Sequence, residues 1–197
     1  MKKKIILALA IMGMSLNVQA IDYSKFIAED YVLGDITAPV TFILYASATC
    51  GHCGRFEDNV VSKLKEDYID TGKVAYTFRD YPLDELAFAV AKVQRCAGEK
   101  SYYRFVDAYF ASQRQWAMAT NKLEANKKIA MLGGMGAQQV ESCIANPKIQ
   151  RVIQKMKISG DALGIQATPT IVINGKIFEG ARSYSEIKGY IEQELTK

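Results

Sequence analysis

The sequence predicts an α/β fold in which a βαβ unit is followed by a block of helices and then by a ββα unit. Three observations carry this. An apolar run from Val40 to Tyr45 leads into an amphipathic stretch from Gly54 to Tyr68, and a second strand-like run follows from Lys73 to Phe78. Strand, helix and strand at this spacing imply a parallel pair joined by a crossover. Residues 83–163 carry helical periodicity almost throughout. Near the end, Thr170 to Ile173 is β-branched, Asn174-Gly175 is a strong hairpin turn, and Lys176 to Glu179 reads as the return strand.

Taken in order, Ile21 to Leu33 is a lead-in with no assigned structure, and Gly34 to Pro39 is a turn. Pro39 is tolerated because it precedes the strand. The helix after the first strand places Phe56, Val60, Leu64 and Tyr68 at i+4 spacing, with Val61 on the adjoining face, and Thr71-Gly72 ends it. The helical block divides into segments at about Asp84–Cys96, Lys100–Trp116, Lys122–Leu132 and Ala137–Ile144, with a last helix that starts at Asn146-Pro147. The aromatic residues Tyr102, Tyr103, Phe105, Tyr109, Phe110 and Trp116 read as packing between helices, because helical spacing accounts for them. Ser183-x-x-Glu186 is a capping box for a final helix, Tyr184 to Leu195.

The residues with chemical content lie at the first strand-to-helix junction, Cys50-Gly51-His52-Cys53. Two cysteines three apart at a helix start can bridge with little strain. The first then meets the unpaired amides and positive dipole end of the helix, which favour a thiolate, the species that attacks disulfides. Half of a zinc site and a purely structural disulfide are the competing readings. Zinc would need a second close pair of ligands, whereas Cys96 and Cys143 stand apart and His52 is the only histidine. His52 is either a group that favours the thiolate or a solvated loop residue.

Residues 1–20 carry the pattern of a secretory signal: Lys2-Lys3-Lys4, an apolar stretch from Ile5 to Met14, and Val18-Gln19-Ala20 as a cleavage site. An uncleaved anchor is the alternative. The expectation is export to the periplasm, with no membrane span in the mature chain. Without the leader the formal charge falls from +4 to about +1, and no basic stripe suggests nucleic acid. Export would place all four cysteines where disulfides persist.

The order and spacing of these features resemble the DsbA-like family of exported thiol–disulfide oxidoreductases. The resemblance covers residues 21–197. It rests on Cys50–Cys53, the segment Arg79-Asp80-Tyr81-Pro82-Leu83, the helical block, and Ala167-Thr168-Pro169-Thr170. It implies a thioredoxin fold (βαβ…ββα) with an α-helical insertion: leader 1–20, first part of the fold 21–82, insertion 83–163, second part 164–197. It further implies that Pro169 is cis and faces the cysteines, with Thr168 offering backbone groups to an extended substrate; the residues alone leave an ordinary trans proline open. In the implied chemistry Cys50 is the exposed sulfur, Cys53 resolves the mixed disulfide, and His52 favours the Cys50 thiolate. Cys96 and Cys143 match a structural disulfide that some members carry; two buried free thiols are the alternative. The redox-active disulfide is the only cofactor expected, and no metal.

The implied partners are exported proteins with free cysteines and a membrane reoxidase. A reductase or isomerase shares this chemistry, and an exported metal carrier or surface antigen does not. One departure stands out. Related enzymes carry a buried acid six residues before the first cysteine, where this chain has Leu44. Glu57 and Asp58 are expected on a solvated face.

Overall fold

The computed structural model describes residues 21–197. The leader expected at 1–20 lies outside the described residues. A five-stranded sheet has the order β1-β3-β2-β4-β5. Its strands are β1 Val32–Leu33, β2 Val40–Ala46, β3 Val74–Asp80, β4 Thr170–Ile173 and β5 Lys176–Glu179. Strands β2 and β3 pair in parallel, with Val40 opposite Val74, and every other pairing is antiparallel. This is the thioredoxin fold. Between β3 and β4 lie α3 Glu85–Cys96, α4 Glu99–Ala111, α5 Gln113–Ala117, α6 Lys122–Leu132, α7 Ala137–Ala145 and α8 Pro147–Ala162; α9 Tyr184–Leu195 closes the chain. No helix among the described residues is long and apolar enough to cross a membrane.

The helix after β2 alternates between two windings. Alpha-helical turns, α1 Gly51–Phe56 and α2 Ser62–Leu64, are separated and followed by π-helical turns at Glu57–Val61 and Lys65–Ile69. A strict i+4 repeat outruns the 3.6-residue α-helical turn. The wider π turns absorb the difference and keep Phe56, Val60, Leu64 and Tyr68 all buried against the sheet. The adjoining i+4 row is drawn inward too. Glu57 is therefore buried beside Val61, not solvated as its polarity suggests, while Asp58 is exposed.

The lead-in is also more ordered than its sequence reveals. Residues Val32 and Leu33 form an edge strand on β3, and Asp30 meets Arg79 inside the protein. The Arg79 guanidinium and the Asp30 carboxylate are both fully buried. Arg79 Nε donates to Asp30 Oδ1 at 2.9 Å and Nη2 donates to Oδ2 at 2.7 Å. The other donors reach the carbonyls of Tyr23 and Lys25 and the Tyr45 hydroxyl. All five N–H groups of the fork are thereby matched.

Other expectations hold with small shifts. Asn174 (φ 45°) and Gly175 (φ 84°) make the left-handed pair that a two-residue hairpin needs. Ser183 and Glu186 form the reciprocal cap of α9. Tyr102, Phe105, Tyr109, Phe110 and Trp116 are buried among the helices and the sheet face. The stretch expected as one helix to Trp116 instead breaks at Ser112, whose hydroxyl donates to Ala108 O at 2.6 Å before α5 begins.

Cys96 and Cys143 are joined by a disulfide, with α-carbons 5.7 Å apart, tying the end of α3 to α7. The loop it closes spans 47 residues, for which chain entropy gives an upper figure of ~4 kcal/mol. Replacing both with alanine should lower the melting temperature and leave the Cys50–Cys53 potential nearly unchanged. A potential that moved with the double variant would give this bridge a part in the redox chemistry.

Candidate active site

Cys50 is the N-cap residue of α1, with extended backbone (φ −79°, ψ 112°). Its sulfur accepts the Cys53 amide at 3.3 Å, as the side chain of a capping residue does. The Cys50 thiol donates to Thr168 O at 3.4 Å. Cys50 is half-buried and Cys53 is buried in the sheet-face core, and neither is bridged. The peptide Thr168–Pro169 is cis, and it leads directly into β4. The geometry thus brings Cys50, Cys53, Thr168 and Pro169 together across about 118 residues of chain.

The two thiols have opposite acidities. Cys50 is lowered to about 5, chiefly by hydrogen bonding from the Cys53 thiol. Burial opposes this, and Thr168 and the backbone amides of Cys53 and His52 add to it. Cys53 is pushed up, first by burial and then by the Cys50 sulfur beside it. An anion on Cys50 therefore keeps the proton on Cys53.

His52 reaches outward. Its Nδ1 lies 3.0 Å from Arg55 Nη2. A guanidinium only donates, so Nδ1 is the acceptor and Nε2 carries the ring proton. The backbone amide of His52 is among the groups that lower Cys50.

Two further residues hold the loop. Gln113, buried at the start of α5, donates from Nε2 to Ala48 O at 2.8 Å and to Cys50 O at 2.9 Å. The break at Ser112 lets it turn back to the motif. Gly54 makes room for it, since a β-carbon there would sit 2.6 Å from Gln113 Oε1. On the other side Thr49 Oγ1 donates to Asp84 at 2.8 Å, the N-cap of α3. No motif marked Gln113 in the sequence; only the amide's position, 63 residues from Cys50, reveals it.

A thioredoxin family model matches residues 27–193. The crystal structure of α-DsbA1 from Wolbachia pipientis is 32% identical and covers 87% of this chain and 94% of that one, with a TM-score of 0.81. The chain belongs to the DsbA-like family. Oxidised BdbD of Bacillus subtilis superposes with a TM-score of 0.78 at 23% identity, covers 88% of this chain and 96% of that one, and supports the fold. A Rickettsia felis protein named as a protein-disulfide oxidoreductase is 29% identical over 169 residues, 85% of this chain and 60% of that one. The chain spans about 54–60% of the length of the Rickettsia relatives it matches.

In this DsbA-like chain Leu44 is buried in the same core cluster as Cys53, so the usual acid is replaced by an alkyl group. Asp80 is a buried carboxylate on the neighbouring strand. It faces the same side of the sheet as Phe78, accepts from Tyr102 Oη at 3.0 Å, and burial raises it to about 6.

Proposed function

We propose that the chain is a thiol–disulfide oxidoreductase that donates disulfide bonds to exported proteins in the periplasm. The observation that carries this reading is the asymmetry of the pair: an accessible sulfur lowered to about 5 beside a buried thiol that is pushed up. A cysteine whose thiolate is this stable favours the dithiol over the disulfide, which makes the disulfide a strong oxidant.

In the proposed cycle a substrate thiolate attacks Cys50 Sγ of the Cys50–Cys53 disulfide. The S–S bond breaks, a mixed disulfide forms at Cys50, and Cys53 leaves as a thiolate that takes up a proton. A second substrate thiolate then attacks the substrate's own sulfur in that bond. Cys50 leaves as its stable anion, and the substrate holds a new disulfide. The enzyme keeps two electrons, which a membrane reoxidase would remove. Thr168 and Pro169 border the groove in which an extended substrate would pair with the backbone. Cys96–Cys143 has no part in the exchange, and the redox-active disulfide is the only cofactor the cycle needs.

Equilibration of Cys50–Cys53 with glutathione tests the direction of transfer. A potential near about −120 mV, as for DsbA, is the expected result. One near about −270 mV, as for thioredoxin, would assign a reductase. In the same assay His52→Ala is expected to make the disulfide less oxidising by ~30 mV. Parent and variant titrating together would leave only the His52 backbone amide in the redox chemistry.

A further inference from the structure

A cavity of about 580 Å3 opens between the helix after β2, strand β3 and helix α4, beyond the residues of the redox pair. Leu33, Val61 and Ala111 give it apolar walls, and Tyr76 and Tyr103 give it aromatic ones. Two buried polar groups in its lining have no protein partner among the described residues, Glu57 Oε2 and the Tyr76 hydroxyl. Tyr76 is fully buried and Glu57 is only 8% exposed. Buried polar atoms are almost always hydrogen-bonded, because leaving them unpaired costs the desolvation that burial imposes. Here both belong to one cavity.

The charge around them is mostly negative, with Lys65 the one cation in the lining. Asp58 on the same helix and Asp107 on α4 both act on Glu57. Lys65 is engaged by Asp70, which accepts from it at 2.6 Å. The lining therefore offers negative charge, an acceptor hydroxyl and π faces, a set suited to an organic cation. No three His, Cys, Asp or Glu side chains among the described residues are gathered as metal ligands. We propose that this cavity binds an ammonium or guanidinium group carried on a short apolar stem, with Glu57 as counter-ion and the Tyr76 hydroxyl as second acceptor. The group belongs either to a free small amine or to a lysine or arginine side chain of a bound peptide.

Glu57 is pushed up to about 8, first by burial and then by Asp107 and Asp58. The titratable groups that share the cavity with it are Asp58, Lys65 and Glu66 on its own helix, Asp70 at the end of that helix, Tyr76 on β3, and Tyr103 and Asp107 on α4; β1 contributes only Leu33. Cation binding is favoured by the ionised acid. Affinity should therefore fall by up to about tenfold per pH unit below about 8.

The test is titration of the full chain with n-butylamine, butylguanidine and Nα-acetyl-lysine methylamide, followed by the NMR ring signals of Tyr76 and Tyr103. Saturable shifts are expected at pH 8 and weaker ones at pH 6. Glu57→Gln should abolish them while the alkylation rate of Cys50 is unchanged. Asp107→Asn, at an exposed position, should weaken them and serves if Glu57→Gln does not fold. Saturation by butylamine alone would identify a free amine as the ligand, and saturation by the blocked lysine a peptide side chain. Equal shifts with uncharged n-butanol, equal shifts with calcium chloride, no saturation by any probe, or shifts that survive in Glu57→Gln would each overturn the proposal.

Discussion

Replacing Cys50 with alanine is expected to reduce disulfide transfer to a reduced substrate protein to the uncatalysed background. The buried Cys53 cannot substitute, because burial, the larger of the two effects that hold its proton in place, remains when the Cys50 sulfur is gone. In the complementary variant Cys53→Ala, the Cys50 thiolate should attack an added substrate disulfide, release one substrate thiolate and, with no second cysteine to resolve the bond, accumulate a mixed disulfide that a gel under non-reducing conditions resolves. A pH signature accompanies the loss. The Cys50 pKa is depressed in the folded chain, so the reduced protein binds fewer protons folded than unfolded between about 5 and the ordinary thiol range. Its stability should rise with pH across that window and fall as the pH is lowered through it. Cys50→Ala should flatten this dependence. Transfer that persisted in Cys50→Ala would locate the reactive sulfur elsewhere.

The largest stability effect is expected at the buried ion pair. Asp30→Ala leaves the Arg79 guanidinium without its carboxylate, and both groups are fully buried. Removing one partner of such a pair typically costs ~3–5 kcal/mol, a large part of the stability of a domain this size. Urea denaturation measures it. The double variant Asp30→Ala/Arg79→Met should recover part of the loss, since no charge is then stranded. An Asp30→Ala protein within ~0.5 kcal/mol of the parent would mean that the other three contacts of Arg79 suffice without the carboxylate.

The contrast between what the residues reveal and what they conceal follows distance along the chain. The hairpin at Asn174-Gly175, the cap at Ser183 and Glu186 and the proline start of α8 are local signals, and each element forms where its residues place it. The cysteine pair is local too. Pairings across 49 and 63 residues, Asp30 with Arg79 and Gln113 with Cys50, leave no mark in either segment. Glu57 is a different case. Its polarity argued for solvent, but its i+4 relation to Val61 placed it on a row that the π turns carry inward. The break at Ser112 was hidden because a serine hydroxyl bonding back to the preceding turn competes with the helix without forbidding it.

The central claim is that Cys50 is held as a thiolate by its place at the α1 N-terminus beside Cys53. The rate at which iodoacetamide modifies Cys50 in the reduced protein, measured from pH 3 to pH 9, tests it most directly. A half-maximal rate near pH 5 is the result the geometry requires. A Cys50 that reacts only as an ordinary thiol, with its midpoint near about 8.5, would contradict it.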